Sequence, residues 1–436
     1  MTTTIERFTQ GARDNPQKQY TALMGLLSSP IELLACFDEQ PGNKALGIDG
    51  ISKAAYAEDV VERIQALSQS LRSLSYRPKP SRRVYIPKSN GKIRPLGIPS
   101  FEDRIVQRQM TKILQAIWEP AFRDCSYGFR PHRNAHQALA RLGAVIRNDH
   151  TQWVVEADIK GFFDHVNHDW LMKFLAHRIK DPVFLRLVKR FLKAGIMEDG
   201  LWRQEDSGTP QGGLVSPVLA NLYLHYVLDL WFEKRFARTC QGKARLIRYA
   251  DDYVACFNRE EDAQRFMAAM PERLRQFGLE IEPSKTGLIR FGSQAGKTCQ
   301  QDGRKRPATF NFLGFTHYVS KSRRGGFKVG RATQRERMTK KLKEVGQKLA
   351  RLRVQGGKAM MDYARQHLRG HLSYYAVSGN TRQIGNYARL IGVLLFKWLN
   401  RRSQKRSCTW KTFSQVLKAW MPSLRVQHYL YPKPCG

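Results

Sequence analysis

The sequence predicts an α+β fold in which a core of mixed helices and strands precedes a purely helical region. Two observations support this prediction. Up to about residue 325, apolar residues alternate in some segments and recur every three or four positions in others, whereas after Arg331 only the second spacing remains. The chain also has 436 residues, 42% of them hydrophobic, which is enough for two to three domains. We place domain boundaries at 1–78, 79–325, 326–403 and 404–436.

The N-terminal part of the chain is predicted to be helical over residues 17–75. Its clearest helix covers residues 59–74, where apolar residues recur at spacings of three and four. The period then changes to two at residues 83–87, and a turn at 89–92 leads into an extended arm at 93–99. This pattern predicts a β-hairpin with basic residues near its tip.

The middle of the chain alternates between helical and extended patterns. The predicted elements are a helix at 101–118, a strand at 152–159, helices within 167–195, a Gly/Pro-rich loop at 207–216, a helix at 217–232, strands flanking residues 251–252, a helix at 259–277 and a strand beginning at 278–281.

The C-terminal third carries three amphipathic stripes, which begin at Met338, Met361 and Ile384. Glycine-containing turns near residues 356 and 379 separate them. Three such helices joined by short turns predict a small bundle.

Positive charge is concentrated in the same third. The whole chain has a net charge of +37, and residues 301–436 hold 30 Lys and Arg against four acids. No Asp or Glu follows Asp362. A stretch this basic repels itself unless a polyanion binds to it, so we expect a nucleic-acid partner.

The remaining composition excludes several classes of protein. The seven cysteines form no Cys-x-x-Cys pair, so neither a zinc ribbon nor a disulfide framework is indicated. His165 and His168 lie near Asp158, but no further Cys or His is close enough in sequence to complete a zinc shell. With no signal peptide and no apolar run of membrane-spanning length, we expect a cytoplasmic protein with no membrane partner.

Three carboxylates carry the predicted chemistry. Asp158 ends one apolar segment, and Asp251 and Asp252 lie between two others. If these strands are neighbours, the three side chains can hold a pair of divalent ions about 3.5–4 Å apart, which suits nucleotidyl transfer. Because Asp also favours turns, a polar hairpin turn is the plainer alternative for residues 251–252.

A series of ordered sequence blocks resembles reverse transcriptases, and among them the group II intron-encoded reverse transcriptase/maturases. The resemblance covers about residues 20 to 410. The blocks of the polymerase part are 47–50 (Gly-Ile-Asp-Gly), 86–88 (Ile-Pro-Lys), 94–99 (Arg-Pro-Leu-Gly-Ile-Pro), 126–131 (Ser-Tyr-Gly-Phe-Arg-Pro), 157–163 (Ala-Asp-Ile-Lys-Gly-Phe-Phe), 208–213 (Gly-Thr-Pro-Gln-Gly-Gly), 249–252 (Tyr-Ala-Asp-Asp), 283–286 (Pro-Ser-Lys-Thr) and 312–315 (Phe-Leu-Gly-Phe).

The resemblance implies a right-hand polymerase, with fingers and a palm built on an antiparallel sheet, followed by an all-α thumb. It implies an RNA-directed DNA polymerase that uses two Mg²⁺ ions, for which Mn²⁺ is a possible substitute. The metal ligands would be Asp158, Asp251, Asp252 and the backbone carbonyl of Ile159.

Further residues receive roles from the same resemblance. Lys88 and Arg94 would clamp the incoming triphosphate, and Gln211 would contact the nucleotide or the template. Phe163 would lie under the sugar and disfavour a 2′-hydroxyl. Lys285 would neutralise or protonate the leaving pyrophosphate, although a plain surface lysine is an equal alternative. The turn formed by Phe312, Leu313 and Gly314 would support the primer end.

The helical region resembles the thumb, or maturase, region of the family through residues 368–375 (Leu-Arg-Gly-His-Leu-Ser-Tyr-Tyr), 378–380, 398–402 and 409–411. The implied partners are structured RNA, taken to be a group II intron RNA, an RNA template with a DNA primer, and target DNA. Many relatives carry a Cys/His-rich endonuclease after the thumb, and the sequence here has no such pattern. We therefore expect the endonuclease-lacking type, with a short basic segment that binds DNA.

Alternatives to an intron-encoded polymerase stay open at this point. The same polymerase could act alone in defence or DNA repair, with no intron partner. A splicing maturase without catalysis would need the basic surface but not three close carboxylates. An RNA polymerase that uses ribonucleotides is disfavoured by Phe163. The sequence does not determine the oligomeric state.

Overall fold

A computed structural model describes residues 4–87, 93–198, 201–203, 207–208, 212–322, 324–402 and 408–431 of the chain. The strands are β1 (Ser81–Pro87), β2 (Ile93–Ile98), β3 (Trp153–Asp158), β4 (Ile196–Glu198), β5 (Leu201–Arg203), β6 (Ala244–Tyr249), β7 (Asp252–Phe257), β8 (Gly287–Arg290), β9 (Phe310–Phe312), β10 (Phe315–Lys321) and β11 (Phe327–Thr333).

The helices cover most of the remaining described chain. They are α1 (Thr4–Asp14), α2 (Met24–Leu27), α3 (Pro30–Asp38), α4 (Lys53–Ala57), α5 (Val60–Arg72), α6 (Phe101–Trp118), α7 (Ala135–Asn148), α8 (His168–Ala176), α9 (Pro182–Leu192), α10 (Ser216–Leu224), α11 (Glu260–Arg275), α12 (Ala295–Gln301), α13 (Arg335–Leu352), α14 (Gly357–Tyr375), α15 (Thr381–Leu399) and α16 (Trp410–Trp420).

The central sheet has the strand order β6-β7-β3-β8, and all its pairs are antiparallel. Its middle strands are apolar because both of their faces are covered. Helix α11 packs against β3 and β7 on one face, while α7 lies against β6 on the other. This burial explains why β7 reads as a continuous apolar run rather than as an alternating one.

Two smaller sheets flank the central one. The predicted hairpin is present as the antiparallel pair β1–β2, which is extended by β4 and β5. Strands β9, β10 and β11 form the other sheet, and β9 contacts both β3 and β7 of the central sheet. The turn between β9 and β10 therefore lies beside the edge of the central sheet where β3 ends.

Helices α13, α14 and α15 pack on one another, as the three apolar stripes predicted. They enclose a core of their own, which includes Val345, Leu349, Leu368 and Tyr387. This region is separated from the two clusters that lie beneath the sheets. Among the described residues, no helix combines the length and the apolar character needed to cross a membrane.

The predicted strand at 278–281 is wrong. The chain turns at Gly278, where φ is +73°, and Ile281 makes only an isolated bridge with Ile159. Pro283 then begins a short 3₁₀ turn, and the strand proper, β8, starts at Gly287. The predicted helix at 217–232 instead continues beyond its expected end, through π-helical turns at His225–Asp229 and Phe232–Phe236.

The C-terminal segment folds back onto the seam between the small sheet and the helices. Helix α16 contacts α15, and beyond it His428 bridges to Val377. The Tyr431 hydroxyl donates a 2.8 Å hydrogen bond to the Val329 carbonyl oxygen in β11. Residues 424–431 thus lie against the body of the protein, a placement that the sequence did not indicate.

Candidate active site

The three predicted carboxylates lie on neighbouring strands. Asp158 is the last residue of β3 and is paired with Asp252, the first residue of β7. Asp251 lies in the two-residue turn that connects β6 to β7, beside Ala250. The condition set by the sequence analysis, that the two strands be adjacent, is therefore met.

A buried arginine supports this turn from below. Arg248 donates hydrogen bonds to both carboxylate oxygens of Asp229, at 2.8 and 2.6 Å, and to the carbonyl oxygen of Ala250 at 2.9 Å. Ala250 has a φ of +58°, a backbone conformation that costs energy for any residue with a Cβ atom. The bond from Arg248 helps hold the turn in that conformation.

The block at residues 126–131 packs directly on the same turn. A Cβ atom at Gly128 would lie 2.4 Å from the backbone nitrogen of Ala250, so no other residue fits there without movement of the backbone. Asn221 donates a 2.7 Å hydrogen bond to the Gly128 carbonyl oxygen and accepts one from Arg248. Two of the sequence blocks are thus parts of one structural unit.

The turn between β9 and β10 is tied to the carboxylates by its backbone. The Leu313 amide donates to Asp252 Oδ2 at 3.4 Å, and the Asn311 amide donates to Glu156 Oε2 at 3.1 Å. From the other side, the Tyr374 hydroxyl donates a 2.8 Å bond to the Leu313 carbonyl oxygen. Helix α14 is therefore joined through Leu313 to a carboxylate of the central sheet.

The electrostatics of the cluster reflect crowded negative charge in a buried place. The pKa of Asp252 is raised to about 7, chiefly by burial. The Leu313 amide lowers it, and the charges of Asp251, Asp158 and Glu156 add to the rise. Burial likewise raises the pKa of Glu156. Lys285 donates to Asp158 Oδ2 at 2.5 Å, and this bond raises the pKa of Lys285.

The donor chemistry of the cluster fits a divalent cation, although the side chains are not arranged around one. Within the described ranges, no three His, Cys, Asp or Glu side chains converge as a metal site. Lys285 lies on Asp158, so a positive charge already neutralises one of the carboxylates. Carboxylate oxygens are nevertheless the ligands that Mg²⁺ prefers. The carboxylates on these adjacent strands repel one another, and a bound cation would relieve that repulsion.

Other predicted site residues fall around this cluster. Ile159, buried, continues β3 into its bridge with Ile281. Phe163 is half-buried in a 3₁₀ turn, and its ring centroid lies 5.3 Å from that of Phe162. Arg94 lies in β2, where its backbone is paired with Ile86. Lys88 and Gln211 lie outside the described residues.

The Gly/Pro-rich loop is attached at both of its described ends. Gly208 donates a 2.8 Å backbone bond to Val166 and accepts one from His168 Nε2 at 2.6 Å. Beyond the loop, the Leu214 amide donates to Gln107 Oε1 at 2.7 Å. His168 thus holds the loop, and His165 contacts the carbonyl oxygen of Gly161.

Sequence reasoning missed Glu156, the Arg248–Asp229 pair and Tyr374. Glu156 had a usable signal, because in a strand it shares a face with the residue two positions later, which is Asp158. Asp229 and Tyr374 had none, since their partners lie 19 and 61 residues away in the chain.

Comparison with known proteins gives the same family as the motifs. Residues 86–317 match the family described as reverse transcriptase (RNA-dependent DNA polymerase). Protein YkfC of Escherichia coli (strain K12) is 38% identical over 244 residues, which are 55% of this chain and 63% of that protein. Group II intron-encoded protein LtrA of Lactococcus lactis subsp. cremoris is 39% identical over 231 residues, 52% of this chain and 38% of LtrA.

A third relative aligns over more of the chain. A protein in the cob intron of Schizosaccharomyces pombe is 27% identical over 89% of this chain and 54% of its own length. The chain thus spans less than two thirds of each of these relatives. The match to the group II intron-encoded protein LtrA confirms the resemblance that the sequence blocks indicated. The chain belongs to the reverse transcriptase family.

Proposed function

We propose that the chain is an RNA-directed DNA polymerase that adds deoxynucleotides to a primer 3′-hydroxyl and also binds a group II intron RNA to assist its splicing and mobility. The observation that carries this proposal is the placement of Asp158 opposite Asp252, with Asp251 in the adjoining turn. The family match, with the mixed α/β structure and its antiparallel sheets, supports a right-hand polymerase fold.

Each residue around the cluster has a role in this proposal. Asp158, Asp251 and Asp252, with the Ile159 carbonyl, would hold Mg²⁺, which activates the attacking hydroxyl and stabilises the leaving pyrophosphate. Lys285 would leave Asp158 when the cation binds and would then face the pyrophosphate. The Leu313–Gly314 turn, fixed by Tyr374, would support the primer end.

The proposal also assigns a role to each domain. Residues 79–325 would form fingers and palm, with Lys88, Arg94, Phe163 and Gln211 around the incoming nucleotide, and residues 326–403 would form the thumb. Its cations outnumber its acids, so it would grip the phosphates of template, primer and intron RNA.

Primer extension tests the catalytic part of the proposal. Wild-type protein is incubated with a poly(rA)/oligo(dT) template, Mg²⁺ and dTTP, beside the Asp251→Ala/Asp252→Ala double variant. We expect the double variant to lose at least about 100-fold in rate, because the loss of metal ligands removes the main stabilisation of the transition state. Asp362→Ala, which removes an exposed acid on α14, is the control and should extend the primer normally.

Two results would contradict the proposal. If the double variant extends the primer as the wild type does, the carboxylates are not the catalytic centre. If neither protein extends it while both bind structured RNA tightly, the chain acts as a splicing factor without catalysis. Intron splicing by the double variant measures the RNA-binding role separately, and we expect that activity to be retained.

A further inference from the structure

A pocket opens between helices α13 and α14, away from the carboxylate cluster. Its volume is about 570 Å³, within the range of small-molecule sites. Met338 and Tyr375 line it with apolar and aromatic surface, and Arg337, Lys340 and Lys341 line it with positive charge. A pocket with both kinds of wall suits a ligand that is planar in one part and anionic in another.

The positive charge of the pocket exceeds what the protein neutralises. Lys340 and Lys341 share one acid, Glu344, at 3.8 and 2.8 Å. Arg337 has no acid partner in the described part of the chain. The walls therefore carry two more positive than negative charges, so an anionic group would be bound favourably there.

A histidine of the pocket wall also has a buried nitrogen without a partner. His371 lines the pocket and is only 8% exposed, and its Nε2 atom finds no hydrogen-bond partner. The ring is held by stacking on Tyr387, at 3.8 Å and 14° between planes, and on Tyr375 at 4.6 Å. Buried polar atoms are nearly always satisfied, so a ligand edge that reached this ring would supply a bond that the described residues do not.

An exposed glycine, Gly370, lies in the wall of the same pocket. It lies inside α14, where glycine is among the least favourable residues, and it lines the pocket. A Cβ atom added there would meet nothing within 4 Å, so packing within the protein does not require glycine at this position. An added methyl group would instead occupy open space at the wall of the pocket.

The pocket lies next to the turn that contacts the carboxylate cluster. A Cβ atom at Gly314 would lie 3.0 Å from both Arg337 Nη1 and the Tyr375 hydroxyl, so these two pocket residues touch that turn. A nucleic acid bound at the turn would therefore lie beside the pocket.

We propose that this pocket binds one unpaired nucleotide of a bound RNA strand, with its base against Tyr375 and Met338, its edge on His371 Nε2 and its phosphate on Arg337. Aromatic side chains stack on unpaired bases. A base in a duplex would have to break its pairing before it could enter this pocket. This inference rests on the proposed function, because that proposal is the reason for taking RNA as the ligand.

Binding of single-stranded and duplex RNA distinguishes this pocket from a general phosphate surface. The probes are a fluorescein-labelled, unstructured 12-nucleotide RNA and the same strand paired with DNA, measured by fluorescence anisotropy. We expect Gly370→Ala to weaken single-strand binding about tenfold, because the methyl group excludes the base, and to change duplex binding less than about twofold.

Gly385→Ala is the matched control. Gly385 lies inside α15, also has nothing within 4 Å of its Cβ position, and does not line the pocket. Both substitutions should raise the melting temperature slightly, since alanine favours a helix, and only Gly370→Ala should lose affinity. His371→Phe, which keeps the stacking ring and removes Nε2, should weaken single-strand binding about fivefold.

The outcomes separate this inference from the proposed polymerase activity. If Gly370→Ala binds the single strand as the wild type does, or loses duplex affinity equally, no nucleotide pocket exists and the inference is overturned. Primer extension by the wild type is measured on the same preparations. A wild type that does not extend the primer, combined with a selective loss in Gly370→Ala, would refute the polymerase and leave the pocket standing.

Discussion

Two buried arginines differ in how their charge is balanced. Arg248 in the central sheet and Arg331 in β11 are both 0% exposed. Arg248 forms a two-bond ion pair with Asp229 and further bonds to Ser126, Asn221 and Ala250. Arg331 donates a 3.1 Å bond to the Leu139 carbonyl oxygen and lies 5.3 Å from the Tyr431 ring, while its Nε and Nη1 atoms have no hydrogen-bond partner among the described residues.

The pKa values follow this difference. Burial lowers the pKa of both arginines, but the Asp229 carboxylate more than compensates in Arg248, whose pKa is raised overall. The pKa of Arg331 stays below its ordinary value. The sheet that carries the carboxylates thus neutralises its buried cation, whereas the basic C-terminal third leaves one without an acid.

Breaking the balanced pair should have the largest effect. Arg248→Met leaves Asp229 buried with no cation, so we expect the free energy of unfolding to fall by about 3–5 kcal/mol. Urea denaturation at pH 7 measures this. Arg275→Met removes the arginine of an exposed pair with Glu272 and is the control, with an expected loss below about 1 kcal/mol. Equal losses in the two variants would show that the buried pair contributes no more than a surface pair.

The pH dependence of stability tests the crowded carboxylates. The pKa of Asp252 in the folded protein is about 7, above its ordinary value of 3.8, so this group favours folding while it is protonated. That contribution is complete below about pH 3.8 and is lost as the pH rises through 7. Both proteins are freed of metal with EDTA. The free energy of unfolding of the wild type, relative to that of Asp252→Asn, should fall between pH 4 and 7 by at most about 4 kcal/mol.

Asp362→Asn, which changes an exposed acid, serves as the control for that titration and should follow the wild-type curve closely. A wild-type curve parallel to that of Asp252→Asn would mean that Asp252 is as easily ionised in the folded chain as in the unfolded one. Mg²⁺ added to the wild type should remove part of the fall, because a cation favours the ionised carboxylate.

Removal of the unbalanced arginine should have the smallest effect. Arg331→Met takes away a buried cation that has no acid partner among the described residues, so no unpaired charge is left behind. We expect the free energy of unfolding to change by less than about 1 kcal/mol in either direction, measured by the same urea denaturation. A loss as large as that of Arg248→Met would show that the bond to Leu139 and the contact with Tyr431 matter as much as an ion pair.

The sequence predicted those features whose signal is local. The α6 helix, the β1–β2 hairpin and the three C-terminal helices follow from the spacing of apolar residues, and the order of the motifs indicated the family. The adjacency of β3 and β7 was stated only as a condition, because no local pattern specifies which strands pair. The strand expected at 278–281 failed for a related reason: its apolar residues are buried at a bridge and a turn rather than in a ladder.

The contacts that hold the site together were beyond sequence reasoning. Tyr374 reaches Leu313 from α14, which lies beyond two further strands and a helix. Arg248 binds Asp229 inside a π-helical turn that was expected to be ordinary helix. Such contacts depend on how whole elements pack. The roles of Lys88, Arg94 and Gln211 stay predictions, because the structure does not describe the side chains concerned.

The hydrogen bond from the Leu313 amide to Asp252 has a thermodynamic consequence. If Asp252 binds a metal ion as proposed, one carboxylate serves both the ion and the turn that would support the primer. Two ligands that act on one group are linked, and the linkage is reciprocal. Whatever factor Mg²⁺ contributes to the affinity for primer, the primer must contribute to the affinity for Mg²⁺, so the apparent metal affinity reports on whether a primer end is in place.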